Sequence, residues 1–366
     1  MNAPFVLAAG GTGGHLFPAQ ALAGELMRRG RRVIVMTDGR GHNYGSAFPG
    51  AEIATVPAAT FAGRSALGRV AAFGVIALGV LTALLKLLNL RPRAVVGFGG
   101  YPSLPVMLAA SFAHVPTALH EQNAVLGRVN RLLAPRVGKI AANFPFVRFA
   151  PAHPERVVFT GNPVRAEAAA LRATPYTPPA AGAPIRLLIF GGSQGARALS
   201  EIVPAALAHL PEELRARLEI TQQARAEDLA LVQDAYRAAG LNADIAKFFT
   251  DLPRRMASSH LVIARSGAST LSELTVIGRP SILVPYPHAM DDHQAANAAV
   301  LDRAGAAWVV AQSALTPEGL AQLLTEILNH PQMLADRAEA AKALGHQDAA
   351  ARLADLAESL GQRGGA

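Results

Sequence analysis

The sequence predicts an α/β protein of two domains, each a parallel sheet with helices between its strands. Three observations carry that expectation. The same glycine-rich turn occurs once in each half of the chain, after a short apolar run: Phe5–Ala9 before Gly10-Gly11-Thr12-Gly13-Gly14, and Ile185–Phe190 before Gly191-Gly192-Ser193-Gln194-Gly195. Each turn leads into a segment with helical spacing of apolar residues, which reads as a buried strand, a tight turn and a helix. At 366 residues the chain is also long for a single core. Such turns aim backbone N–H groups and a helix dipole at one point, the natural seat of a phosphate.

The elements follow in order. Phe5–Ala9 is the first strand, and Leu16, Ala19, Leu22, Ala23 and Leu26 mark the buried stripe of the helix after it. Arg32–Thr37, Ala94–Phe98, Thr117–His120 and Val157–Thr160 supply further strands of the first sheet. The Pro- and Ala-rich stretch Ala173–Pro184 reads as a surface loop near a domain boundary. Leu187–Phe190, Leu218–Thr221, Leu261–Ala264 and Ser281–Val284 are the strands of the second sheet. From about Thr316 the pattern is helical, and a closing helix over about 344–362 is expected to return to the first domain. The domains are set at 1–164, joined by that helix, and 165–343.

Composition narrows the function classes. Apolar residues make up 51% of the chain, which excludes extensive disorder. There is no cysteine, so disulfides, thiolate metal sites and a cysteine nucleophile are excluded. The net charge of +8 is unevenly spread: residues 1–164 hold 16 Lys and Arg against 5 Asp and Glu, whereas the remainder holds 18 against 21. A basic half beside a near-neutral one implies that the first domain meets something anionic. Few aromatics and no RNA-binding or zinc-finger pattern argue against nucleic acid. Val70–Leu85 is sixteen residues without charge, bordered by Arg64, Arg69, Lys86, Arg91 and Arg93. It is expected to be a helix packed on the sheet, a patch resting in a membrane interface, or both, and to fall short of a span.

The chemistry-bearing residues cluster after strands. The first glycine turn has Leu16 where a dinucleotide fingerprint has its third glycine, and no ribose-binding acid follows at the right distance. That weighs against a nicotinamide-dependent oxidoreductase and leaves an anion-binding turn, with His15 in the first turn of the helix. Gly97-Phe98-Gly99-Gly100-Tyr101 and His120-Glu121-Gln122-Asn123 follow two further strands. His-Glu there lacks the second histidine of a zinc motif, so no metal is expected. Arg265-Ser266-Gly267-Ala268-Ser269-Thr270-Leu271-Ser272-Glu273 opens a helix with small and hydroxyl residues suited to a diphosphate. Glu273 lies one turn on, placed either for ribose hydroxyls or for a capping box with Thr270. Asp291-Asp292-His293-Gln294 follows the next strand, and no Asp-x-Asp occurs anywhere.

Taken together, Gly-Gly-Thr-Gly-Gly-His, Gly-Phe-Gly-Gly-Tyr, His-Glu-Gln-Asn, Gly-Asn-Pro-Val-Arg, Gly-Gly-Ser-Gln-Gly-Ala, Arg-Ser-Gly-Ala-Ser-Thr-x-Ser-Glu and Asp-Asp-His-Gln-x-x-Asn-Ala, in that order from Gly10 to about Ala307, resemble the MurG family. These are bacterial transferases that convert lipid I to lipid II in peptidoglycan synthesis. The resemblance implies the GT-B architecture, two Rossmann-like doubly wound domains facing a cleft, and an inverting, metal-independent transfer of GlcNAc from UDP-GlcNAc with no cofactor. It places Thr12, Gly13 and Gly14 at the donor and acceptor diphosphates, Asn123 and Gln294 on the sugar, Arg165 and Ser193 near the donor phosphates, and Phe249 at the uracil through backbone groups. It places Ala268, Ser269, Thr270, Leu271, Ser272 and Glu273 around the nucleotide, with Glu273 on the ribose. His15 and Tyr101 match acceptor-side positions, and His15 or Glu121 is the candidate base. The expected partners are UDP-GlcNAc, lipid I and an anionic membrane surface met through Val70–Leu85, with the protein peripheral on the cytoplasmic face of the inner membrane. A different lipid glycosyltransferase of the same architecture is the nearest alternative.

Overall fold

The computed structural model describes residues 3–11, 13–39, 48–60, 65–151, 153–192 and 196–363. Thr12 and Ser193 of the two glycine turns, and Arg64 of the basic rim, lie outside the described residues. The chain divides into two compact units, Met1–Arg165 with Asp348–Ala366, and Ala166–Gln347.

The first unit runs β1 (Phe5–Ala8), α1 (Gly13–Arg28), β2 (Val33–Thr37), β3 (Glu52–Thr55), α2 (Ala66–Leu90), β4 (Ala94–Gly97), α3 (Ser103–Phe112), β5 (Thr117–Glu121), α4 (Arg128–Leu133), β6 (Lys139–Ala142) and β7 (Val157–Phe159). Its seven strands are ordered β3-β2-β1-β4-β5-β6-β7, all neighbours parallel. Every residue of β1, β4 and β5 is buried, because helices cover both faces of the sheet.

The second unit runs α5 (Ala166–Ala170), β8 (Ile185–Phe190), α6 (Arg197–Ala208), α7 (Glu212–Arg215), β9 (Leu218–Gln223), α8 (Leu229–Ala238), β10 (Ala243–Ala246), α9 (Leu252–Ser258), β11 (Leu261–Ala264), α10 (Ala268–Ile277), β12 (Ser281–Leu283), α11 (His293–Arg303), β13 (Ala307–Val309), α12 (Pro317–Asn329) and α13 (Pro331–Leu344). Its strand order is β10-β9-β8-β11-β12-β13, again all parallel. The final helix, α14 (Ala349–Arg363), belongs to the first unit. Leu353, Ala357 and Leu360 join Leu16, Leu22 and Leu26 of α1 in one core. Arg29 fastens α14 to α1 by donating to Asp355 (2.6 Å) and Glu358 (2.8 Å), and Arg31 donates to Glu358 (2.6 Å). Hydrogen bonds from Arg28 and Arg29 hold Glu25 of α1 at about 2, far below the usual carboxylate range.

Helix α2 departs from expectation in length. The uncharged run is sixteen residues, but the helix continues past both flanking charges, from the Ser65 cap, which accepts from the Gly68 N–H (3.2 Å), to a left-handed stop at Arg91. Leu67–Leu90 is 24 residues, long and apolar enough by length and composition to cross a bilayer, and an 18-residue window within it has a mean hydropathy of 2.3. Only 28% of that window is buried. Ala72, Ile76, Ala83 and Leu87 enter the core, and Gly79 lies so close to the Pro57 carbonyl that a β-carbon there would sit 2.0 Å from its oxygen. Val80 and Leu84 lean on the same core, whereas Leu67, Val70, Phe73, Leu78, Leu81, Leu85 and Leu88 are exposed.

In both sheets the strand order reverses beside the first strand, between β1 and β4 and between β8 and β11. Ligands of open parallel sheets bind outside the carboxyl ends of the strands at such switch points. Gly10 and Gly11 follow β1, Gly99 and Gly100 follow β4, Gly191 and Gly192 follow β8, and Arg265–Gly267 follows β11 at these points.

Candidate active site

In the first unit the chain leaves β1 through Gly10 and Gly11, and Gly11 takes a φ of +91° that favours glycine. A β-carbon on Gly10 would meet Pro102 at 2.8 Å and the Thr37 hydroxyl at 2.9 Å, so the turn lies flat against the end of the sheet. Gly13 and Gly14 open α1, and its first N–H groups have no partner within the helix. His15 follows in the first turn, half-buried, with Nδ1 3.2 Å from Oε1 of Gln122. Gly99 and Gly100, at φ of +83° and +71°, wall its ring: β-carbons there would lie 3.4 Å from Cε1 and 3.3 Å from Cδ2.

The β5 end supplies a buried polar group. His120, Glu121 and Gln122 are all about 1% exposed or less. Glu121 accepts at Oε1 from the Asn123 N–H (3.0 Å) and Asn123 side chain (3.2 Å), and at Oε2 from the Gly127 N–H (2.8 Å) and Asn130 (2.8 Å). With both oxygens occupied by loop donors, Glu121 braces the turn between β5 and α4. Asn123 is held on that brace, half-buried. Tyr101 leans on the core beside α3. The Arg165 guanidinium stacks over Phe17 of α1, 5.0 Å from its centroid.

In the second unit β11 leads through Arg265, Ser266 and Gly267 into α10. Gly267 is the N-cap, and no side chain caps the helix. Thr270 therefore sits inside the first turn, and Thr270 with Glu273 is not a capping box. Ser269 Oγ is buried and has no hydrogen-bond partner among the described residues. The side chains of Ala268 and Leu271 are buried. Ser272 Oγ donates to the Ala268 carbonyl (2.9 Å), and Glu273 is 4% exposed. Phe249, three residues past β10, is buried under the Arg255 guanidinium, 4.2 Å from its centroid.

The β11–α10 turn is bolted to its neighbours by hydrogen bonds that the motifs do not reveal. Ser266 Oγ donates to the Gln294 carbonyl (2.8 Å), and Asn297 donates to the Ser266 carbonyl (3.2 Å). The Gln294 side chain accepts from the Tyr286 N–H (3.0 Å). Arg265, whose charge burial disfavours, donates to the Val284 (3.0 Å) and Pro285 (3.1 Å) carbonyls and to Gln312 (2.5 Å). Before α11, Asp291 and Asp292 both take left-handed φ, of 53° and 58°, strain that tends to collect at ligand sites.

Comparison with known proteins covers both units. The glycosyltransferase family 28 N-terminal domain model matches residues 5–142, and the C-terminal domain model matches 186–353. A relative from Brucella abortus (strain S19), named UDP-N-acetylglucosamine--N-acetylmuramyl-(pentapeptide) pyrophosphoryl-undecaprenol N-acetylglucosamine transferase, is 52% identical over 97% of this chain and 93% of its own. A protein of the same name from Rhodospirillum centenum is 53% identical over 96% and 93%. Among solved structures, that of Acinetobacter baumannii MurG aligns with a TM-score of 0.78 at 31% identity, over 97% of this chain and 99% of that one.

Proposed function

The chain belongs to the MurG family within glycosyltransferase family 28, and from that premise we propose that it transfers GlcNAc from UDP-GlcNAc to undecaprenyl-diphosphate-linked MurNAc-pentapeptide, lipid I, giving lipid II. The observation that carries this reading is identity of 52% along 97% of the chain to relatives of that name. A sugar hydroxyl of the acceptor attacks the anomeric carbon of GlcNAc, the bond from that carbon to the UDP oxygen breaks, and UDP leaves with the electron pair. Attack from the face opposite the leaving group inverts the anomeric centre.

His15 takes the hydroxyl proton. Glu121 is the second choice for that role, because both of its oxygens already accept from loop donors and a proton on either one competes with them. The second unit takes the donor: the uncapped N-terminus of α10, with the Ser269 hydroxyl, receives the diphosphate, and Glu273 receives the ribose hydroxyls. Gln294 and Asn123 address the sugar, Phe249 lies at the uracil, and Arg165 and Ser193 are assigned to the donor phosphates. Thr12, Gly13 and Gly14 face the donor and acceptor diphosphates, and Tyr101 belongs to the acceptor side. Helix N–H groups at the departing diphosphate stabilise developing charge without a metal. Labelled GlcNAc is therefore expected to reach a lipid I analogue undiminished in excess EDTA. Activity lost to the chelator and restored by Mg²⁺ or Mn²⁺ overturns this part of the reading.

The acceptor is lipid-borne, and α2 offers the means of reaching it. One face of the helix packs in the first unit, so its exposed apolar face lies along a membrane interface, with Arg69, Lys86, Arg91 and Arg93 beside it. The protein is peripheral on the leaflet that presents lipid I. Binding to anionic vesicles is expected to weaken with added salt and with Leu78→Asp or Leu81→Asp, and to be reversed by alkaline carbonate. Resistance to carbonate extraction contradicts the peripheral arrangement. Leu78 and Leu81 are the proper probes because Val80 and Leu84 lean on the core, where a charge would unfold the unit instead.

A further inference from the structure

A buried polar chain runs from His15 across the end of the first sheet to Gly161, and its hydrogen-bond directions are fixed at one end. His120 Nε2 lies 3.2 Å from the Gly161 carbonyl, which only accepts, so Nε2 carries a proton. The ring is fully buried with Phe98 beside it, centroids 5.5 Å apart, and burial holds it at about 4, so it is neutral at pH 7. Its Nδ1 is then an acceptor, and it faces Nε2 of Gln122 at 3.0 Å. That amide nitrogen also meets the Phe98 (3.0 Å) and His120 (3.2 Å) carbonyls. Three acceptors around one amide group fix its orientation, since a flipped amide would set oxygen against all three. Oε1 of Gln122 must therefore point at His15, and only an N–H can fill the 3.2 Å between Oε1 and His15 Nδ1.

We infer that Gln122, locked by His120, is a positioning residue that holds His15 as the Nδ1–H tautomer, so that Nε2 is the atom that accepts the proton of the attacking hydroxyl. The inference rests on His15 being the base in the proposed transfer. The second nitrogen's partner decides which nitrogen of a histidine does chemistry, and here the partner is an amide rather than a carboxylate. The arrangement sets the tautomer without placing a second charge beside the ring. The Gly99–Gly100 turn keeps the ring in register with the amide, because side chains at either position would press on it.

The test is nitrogen-15 spectroscopy of histidine-labelled full-length protein above the imidazole titration, with His15 assigned by the signals lost in His15→Gln. The expected result is a protonated Nδ1 and an unprotonated Nε2 on His15. In Gln122→Met, which keeps length but neither donates nor accepts, both tautomers appear. Turnover in that variant falls at least about tenfold, towards the 10²–10⁴ typical of losing the base altogether, with KM for UDP-GlcNAc unchanged. An Nε2–H tautomer in the wild-type protein overturns the inference even if Gln122→Met fails to fold. So does a folded Gln122→Met that retains the Nδ1–H tautomer or turns over within about twofold of wild type. If His15→Ala retains full turnover, the base assignment fails instead, and the nitrogen spectrum still reports the tautomer.

Discussion

Replacing His15 with alanine is expected to lower turnover by about 10²–10⁴-fold, the usual cost of removing a general base, while leaving the affinity for UDP-GlcNAc near wild type. The separation of the two effects follows from placement. His15 sits in the first turn of α1, at the switch point of the first sheet, and its ring pairs within that unit with Gln122. Of the groups assigned to the nucleotide, Ser269 and Glu273 lie on α10 and Phe249 follows β10, all in the second unit, and Arg165 ends the first. Stability should change little, because the ring is only half-buried. Steady-state kinetics with varied donor and acceptor, beside a binding isotherm for the donor, separates the terms. A loss below about tenfold in a folded variant removes His15 from proton transfer.

Glu273→Ala is expected to act on the other substrate. A hydrogen bond to a charged acceptor is worth about 1.5–3 kcal/mol, so donor Kd should rise roughly 10- to 100-fold. Glu273 lies one helical turn beyond Ser269, on the same face of α10, and it is not spent on capping, since Gly267 is the cap. Its burial makes a stability control necessary. Glu273→Gln keeps the shape and weakens only the charge, so it should retain the melting temperature and lose part of the affinity. Calorimetric titration with UDP-GlcNAc reads both variants. A folded variant with wild-type Kd shows that Glu273 does not hold the ribose.

The fold class was legible because both faces of the inner strands are covered, so β1, β4 and β11 read as unbroken apolar runs and β8 as one interrupted only by Arg186. Four strands left no such signal. β3, β10 and β13 are edge strands with partly exposed residues, Glu52 and Asp244 among them. β6, Lys-Ile-Ala-Ala, owes its place to neighbours on both sides rather than to strand-forming side chains. The α10 cluster was visible because its residues are consecutive. The His15–Gln122 contact was not, since it joins residues 107 apart and depends on a turn that no local pattern specifies. The same limit applies to Glu121. Its position after a strand suggested chemistry, and only the donors from Asn123, Gly127 and Asn130 reveal the brace. In α2 the charge-free run set too short a length, because Arg69 and Lys86 are accommodated inside the helix.

The most direct test of the proposed reaction is mass analysis of a lipid I analogue incubated with the protein and UDP-GlcNAc. The account predicts a gain of one N-acetylhexosamine, one UDP released per acceptor modified, and no gain with UDP-galactose. An acceptor left unmodified by a folded protein that binds UDP-GlcNAc, or one that gains a hexose from UDP-galactose instead, contradicts it.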